Sequence, residues 1–386
     1  MKHSTLLPSL ALLALALPAA AATFESGGLY YTTTGTSTVA VAPVPTEQAS
    51  TQPYAGRYII PEQVYYDGTN YKVTSIADQA FYRSHATEVQ IPNSVTTIGD
   101  QAFTYDDYLA SITLPINLKK VGQGLLDGTS VTNVAVPEGI TKLPSFTFQS
   151  CTRLHTVLLP STLKSIGSYG FNNCHQLAEI YCAAPTPPDA SAWAIFIALK
   201  GIDVIVPDDQ AVAAYKKNAV WGNDTTFTLY PNEDLEVDMT PKLEKVDDNW
   251  MRVQLGGNLA YKIYNDDDEL IALTAADYYY LPVRDRNVTY TIVPTTMMGD
   301  GDPVTVTVNT TGLSRVAAEP EQHPIIWAWG GTIHIFGDNY GTWTRVWDMY
   351  GQLCYERPSG QGEISGLPRH RVYIVMVGNY VQKIML

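Results

Sequence analysis

The chain is poor in cysteine, in positive charge and in long apolar runs, and each shortage closes off a class of protein. Four cysteines, Cys151, Cys174, Cys182 and Cys354, in 386 residues are too few for a disulfide framework, so hydrophobic cores must hold the molecule together. Lys and Arg number 24 against 38 Asp and Glu, a formal net charge of −14. A surface that acidic argues against nucleic acid and anionic lipid, because phosphate binding needs basic side chains. After residue 22, every apolar segment is interrupted by charge, glycine or proline within about 10 residues, too short for a membrane-spanning helix, so no transmembrane segment is expected.

Motifs for catalysis are missing as well. His85, His155, His175, His323, His334 and His370 are scattered, with no H-E-x-x-H and no cysteine pair at zinc spacing. A G-x-S-x-G nucleophile turn is absent. Gly122, Gly124 and Gly128 are wrongly spaced for a phosphate loop. The expectation is a protein that is not an enzyme, with no catalytic, cofactor-binding or metal residues. The acidic run Asn265, Asp266, Asp267, Asp268, Glu269 offers oxygen ligands for calcium, with Asp300 and Asp302 as further donors. It lacks EF-hand spacing, and a polar hairpin tip is the competing reading.

The chain opens with Met1, Lys2 and His3, then an apolar stretch over 6–17 and the small residues Ala19, Ala20, Ala21 and Ala22. This is the pattern of a secretory signal peptide over 1–22, which predicts export: a secreted or outer-surface protein, with the periplasm as the other destination. Beyond residue 75 the sequence becomes repetitive. Ile76-Ala77-Asp78-Gln79-Ala80-Phe81 returns 22 residues later as Ile98-Gly99-Asp100-Gln101-Ala102-Phe103. Phe81, Phe103, Leu126, Phe148 and Phe171 recur at steps of 22 or 23, as do Pro92, Pro115, Pro137 and Pro160. A unit so short cannot bury its own apolar side, whereas stacked units share one continuous core. Within Ile112-Thr113-Leu114-Pro115 the alternation predicts a short strand, ended by a proline that has no amide hydrogen. Gly99, Gly122 and Gly167 follow the isoleucine position and predict a tight turn there that a side chain would obstruct; Ala77 and Pro144 depart from the rule. Cys151 and Cys174 fall at equivalent places in successive turns, which predicts neighbouring sulfurs, either a disulfide or two small buried side chains.

The unit I-G-x-x-A-F-x-x-C-x-x-L-x-x-I-x-L-P resembles BspA-like leucine-rich repeats of Bacteroidetes. The resemblance extends over roughly 24–230, with the strands of 23–75 as an N-terminal β cap and 76–230 as the solenoid with its exit segment. That exit includes Tyr215 and Trp221; in it Asp208 is a helix N-cap candidate, with Val212 and Tyr215 one helical turn apart and able to pack back on the last repeat. The fold class is therefore mainly β: a leucine-rich-repeat solenoid of 22–23-residue repeats with N- and C-terminal caps, followed by two small β-sandwich-like modules. The first of these, an Ig-like β-sandwich over 231–312, is drawn from the strands 251–255, 260–264, 270–273, 288–293 and 304–308, in a stretch where 232–302 carries fifteen Asp and Glu against six Lys and Arg. The second occupies 313–386, with 312–324 read as linker. Val346 to Leu353, Ile364-x-x-Leu367-Pro368 and Val372 to Val375 resemble the C-terminal secretion and sorting domains of Bacteroidetes proteins, although Arg369, His370 and Arg371 stand where that pattern has glycine.

Strand alternation also predicts one extended outer strip: Glu88 and Gln90, Ser111 and Thr113, Asn133 and Ala135, Thr156 and Leu158, Glu179 and Tyr181. These are the candidate ligand-contact residues, with Leu158 and Tyr181 as an exposed apolar pair. The resemblance implies adhesion through protein–protein contacts with host or bacterial extracellular proteins. The alternative is a carbohydrate-binding or nutrient-capture accessory, binding glycans through Trp327, Trp329 and Trp343 of the last module.

Overall fold

The computed structural model describes residues 21–45, 54–232, 241–256 and 259–308, and in the C-terminal part 314–316, 325–329, 332–336, 344–348, 352–357, 362–368, 371–377 and 380–385. The expected signal peptide, up to residue 20, lies outside them. From Phe24 to Phe227 a single hydrophobic core runs unbroken through stacked turns. Each repeat contributes the same side chains: Ile98, Phe103, Leu109, Ile112 and Leu114 are all at or below 3% exposure. The repeated phenylalanine forms a stack along the axis, with ring centroids 5.0 Å apart at Phe81–Phe103 and 5.1 Å at Phe148–Phe171. Each such aromatic pair adds about 0.5–1.5 kcal/mol beyond the area it buries.

Three walls enclose this core. The first is the strand face, where His85–Gln90 pairs in parallel with Ala55–Ile59 and Ser111–Thr113. It continues through Asn133–Ala135, Thr156–Leu159, Glu179–Cys182, Ile202–Val206 and Phe227–Pro231. The second is a row of two-residue strands: Thr97–Ile98 beside Lys120–Val121, and Lys142–Leu143 beside Ser165–Ile166. The third is a turn face with no strands, in which each turn bonds to the next through amides such as Phe103 N to Leu125 O and Phe148 N to Gly170 O.

This turn face places two residues per repeat in the left-handed region. One series is Gln79, Gln101, Gly124, Phe146, Tyr169 and Ala194; the other is Arg83, Tyr105, Gly128, Ser150, Asn173 and Ala198. A non-glycine residue costs about 1–2 kcal/mol in that conformation. The inter-turn bonds hold it nonetheless, because every turn repeats the geometry of its neighbours. The glycines after the isoleucine position serve something other than conformational freedom. Gly167 has an ordinary φ, but a Cβ there would lie 2.6 Å from the Pro144 carbonyl carbon, and at Gly99 a Cβ would lie 2.8 Å from that of Ala77. They are glycine because adjacent turns approach closely.

Both ends of the core are covered. Thr23–Ser26, Leu29–Thr33 and Thr38–Ala42 form an antiparallel meander that joins Thr69–Ile76 and closes the first turn. At the far end Asp208 caps the helix Asp209–Lys216, its carboxylate accepting from Ala211 N at 2.8 Å. Tyr215 and Trp221 are fully buried there, donating to the Ala184 and Pro188 carbonyls at 3.0 and 2.8 Å. Both are the cap residues that the sequence singles out.

Beyond Pro231 the second module pairs Lys242–Lys245, Trp250–Gln254 and Tyr278–Pro282 in one sheet. Leu270–Thr274, Ala260–Tyr264, Val288–Thr295, Val304–Val308 and Ser314–Val316 form the other. A separate core of Met251, Val253, Tyr261, Ile263, Leu281 and Ile292 lies between them. Ser314–Val316 corrects the expected linker at 312–324, since it pairs with Val304–Val308 and extends the sheet. The third module holds a three-stranded and a four-stranded antiparallel sheet around Ile333, Ile335, Val346, Ile364 and Val375.

Two substitutions involving glycine should move stability in opposite directions. Gly167→Ala forces backbone apart and is expected to cost about 1–3 kcal/mol, whereas Ser150→Gly relieves a left-handed residue at φ 56° and is expected to gain up to about 1 kcal/mol. Denaturant midpoints of the two variants check this; equal shifts would contradict the turn geometry.

Candidate functional site

The outer strip comes into register as the alternation predicts. Glu88 faces Ser111, Gln90 faces Thr113, Asn133 lies beside Thr156 and then Glu179, and Leu158 beside Tyr181. It is not an open contact surface, however, and this corrects the sequence-based expectation. Thr113, Asn133, Thr156, Leu158, Glu179 and Tyr181 are buried, and Glu88, Gln90 and Ser111 are half-buried. The second module packs on Glu88, Gln90, Thr113, Leu158 and Tyr181. Ala135, Leu158, Tyr181 and Ile205 pack with Ala260, Leu273 and Ala275 into an apolar seam.

Polar contacts flank that seam. Thr113 and Thr274 hydroxyls meet at 2.8 Å, and Asn93 Nδ2 donates to Ile271 O at 2.7 Å. The Gln90 side-chain amide receives the Tyr280 N–H at 3.0 Å and donates to its carbonyl at 3.1 Å. Tyr280 Oη donates to Glu88, and the Arg57 guanidinium lies 4.7 Å over the Tyr280 ring. Leu270–Thr274 and Tyr278–Pro282 stand at the ends of the two sheets. An unpaired sheet edge is a template for association with other chains; here both edges are laid against the solenoid. The sequence carried a sign of this cover. Ala135, Leu158, Tyr181 and Ile205 point outward on four successive strands, and an apolar column that long calls for a partner.

The turn face of the first two repeats carries a cluster of exposed aromatics. Tyr105 and Tyr108 are 45% and 54% exposed. Tyr82 meets Tyr105 edge-on at 6.0 Å, His85 lies 4.6 Å from Tyr108, and the Arg83 guanidinium sits 5.4 and 5.7 Å from the Tyr82 and Tyr105 rings. Gly128 leaves room for this: a Cβ there would lie 2.6 Å from the Tyr105 ring. This cluster was missed at the level of sequence. The signal available was the aromatic at two successive x-x positions after the repeat phenylalanine.

The cysteines of successive turns have structural roles. Cys151 and Cys174 are free, buried thiols that donate to the Leu126 and Phe148 carbonyls at 2.9 Å each; burial pushes the Cys151 thiol up to about 12. Ser84, Asp106 and Thr129 fill the equivalent place in earlier turns, and Ser84 donates to Asp106. Asp266 pairs with Arg286, and Asp300 with Lys262 at 2.7 Å. Asn265 Oδ1 receives the Asp267 and Glu269 amides at 3.0 and 2.8 Å, a hairpin tip closed by its own side chains. Among the described residues no group of three or more His, Cys, Asp or Glu is placed to hold a metal ion. The side chains of Trp327 and Trp329, and all of Trp343, lie outside the described residues.

Residues 74–186 match the BspA type leucine rich repeat region in 6 copies. This segment is a leucine-rich-repeat solenoid. A leucine rich repeat protein of T. pallidum shares 25% identity at a TM-score of 0.34, over 41% of this chain and 70% of that one. A leucine rich cell surface protein of Faecalibacterium prausnitzii shares 20% at 0.32, over 50% and 72%. A leucine-rich repeat protein of Bacteroides ovatus shares 21% at 0.29, over 48% and 66%. No curated protein matches the chain in sequence. Among the described residues no helix is long and apolar enough to cross a membrane.

The seam and the buried carboxylate of Asp106 each generate a prediction. Leu158→Asp puts a charge into the seam between solenoid and second module. It is expected to cost about 2–5 kcal/mol and to split calorimetric unfolding, with the second module melting first; unfolding unchanged from wild type would contradict the seam. Asp106 is buried, and desolvation pushes its carboxyl up to about 6. A raised native pKa stabilises fully below the unfolded value, and the benefit is lost as pH rises through about 6. Asp106→Asn, which mimics the protonated form, should therefore match wild type at acid pH and exceed it by about 1–2 kcal/mol above neutrality. Urea unfolding across that range tests the sign.

Proposed function

We propose that this protein works outside the cytoplasm as a secreted or surface-held protein-binding molecule of adhesive type, and that it makes contact through the turn face of its first two repeats. The observation that carries this reading is the exposed cluster Tyr82, Arg83, His85, Tyr105 and Tyr108. Tyrosine and arginine are enriched among the residues that dominate the energetics of protein interfaces, and tyrosine buries a large area with little loss of side-chain freedom. Here Arg83 and Tyr105 are held by the inter-turn ladder, so less ordering remains to be done on binding. The strand face is occupied by the second module, which leaves the turn face as the open aromatic surface of the repeats. Export rests on the leader-like residues 1–22, and a protein partner on the similarity to BspA-type repeats.

Binding of residues 23–386 to arrayed extracellular proteins and glycans tests this. The Tyr105→Ser/Tyr108→Ser variant should lose tenfold or more in affinity for a protein partner while melting as wild type. Protein binding that survives in this variant, or retention by glycans alone, would contradict the reading.

A further inference from the structure

We infer a second binding surface, on the wall of two-residue strands, that takes a linear anionic polysaccharide. Residues 76–182 contain six Lys and Arg, and four of them, Lys119, Lys120, Lys142 and Lys164, lie on this one wall. Lys120 stands beside Thr97, and Lys142 beside Ser165. Lys119 and Lys164 occupy the preceding position, their amides bonded to Thr96 O and Thr141 O at 2.9 and 2.8 Å. All four side chains are exposed. Successive turns stack at about 4.8 Å, so Lys120 and Lys142, at equivalent places in adjacent turns, are neighbours.

Like charges side by side destabilise a sheet by up to about 1 kcal/mol, and among the described residues none of these four ammonium groups has a carboxylate in ion-pair contact. Most of the carboxylates of residues 76–182 are committed elsewhere. Asp106 and Asp127 are buried, and Glu88 and Glu179 lie on the strand face. Asp78 and Asp100 accept the Asp100 and Gln123 amides at 2.8 and 2.9 Å. At the borders of the wall, Glu138 accepts from Ser161 N and Oγ, and Asp189, next to Ser165, accepts from Ser191 N. A chain of net charge −14 thus presents a cationic line along its axis.

The rest of the wall decides between polyanions. Thr96, Thr97, Thr141, Thr162 and Ser165 surround the lysines with hydroxyls suited to sugar hydroxyls. Positions 95–98, 118–121, 140–143 and 163–166 contain no aromatic residue, so single-stranded nucleic acid finds no stacking platform. The lysines recur from turn to turn along the wall of two-residue strands, which suits an extended polymer with a sulfate or carboxylate on successive sugar rings.

The full chain is titrated with a heparin octasaccharide, with a polygalacturonate octamer and with a single-stranded oligonucleotide, beside the variant Lys119→Ser/Lys120→Ser/Lys142→Ser/Lys164→Ser. Supporting results are binding of at least one octasaccharide, a tenfold or greater loss in a variant that melts as wild type, and an affinity that falls steeply with salt in the wild type and less steeply in the variant, as release of counterions from the polyanion requires. The sulfated and carboxylated probes distinguish the two sources of charge. Equal or tighter binding of the oligonucleotide, an unchanged variant, low-salt self-association in place of sugar binding, or no sugar binding by wild type overturns the inference. If the variant fails to fold, Lys142→Ser alone is measured, and an unaltered salt slope counts against it.

Discussion

The structure depends on one unmet demand of the solenoid: an outward column of apolar side chains on its strand face. Ala135, Leu158, Tyr181 and Ile205 stand one above another on parallel strands. Stacking the turns satisfies the inward residues completely but does nothing for this column. Exposed, it would invite association with any apolar surface. The second module has the complementary problem, two sheets with bare edge strands. Docking one on the other settles both, with small residues such as Ala260 and Ala275 allowing close approach and Gln90 imitating a neighbouring strand for the Tyr280 peptide group.

This seam also sorts the surface. With the strand face taken, the open parts of the repeat region are the turn face and the wall of short strands, and their chemistry differs. Tyrosines with one arginine mark the first; lysines among hydroxyls mark the second. The same ladder that stacks the core sets the spacing of both, since a residue repeated every 22 or 23 positions returns to the same place one turn on. Position in the repeat therefore decides chemistry as much as residue type does.

The parts of the fold legible in the sequence were those written by local periodicity. The repeat step, the strands with their inward Ile112 and Leu114, the N-cap Asp208 and the helical spacing of Val212 and Tyr215 each derive from spacing or from a side chain acting on its own neighbourhood. Gly167 was recognised as a place where a side chain would obstruct, but that backbone of the adjacent turn is the obstacle required the stacked geometry. The contact strip failed for a related reason. Alternation tells which residues leave the core, and it cannot tell whether water or another module receives them; the partners Thr274 and Tyr280 lie more than 160 positions from Thr113 and Gln90. The aromatic cluster is nonlocal in the same way, with Arg83 and Tyr105 meeting only across the turn.

The seam between solenoid and second module is the claim on which the assignment of every open surface rests, and a cross-link tests it directly. Thr113 and Thr274 touch through their hydroxyls at 2.8 Å, so Thr113→Cys/Thr274→Cys in the full chain should oxidise to a disulfide under native conditions, found by mass spectrometry as one linked peptide pair. Two free thiols that alkylate readily in the folded protein, with no linked pair, would contradict the docked arrangement and return the strand face to solvent.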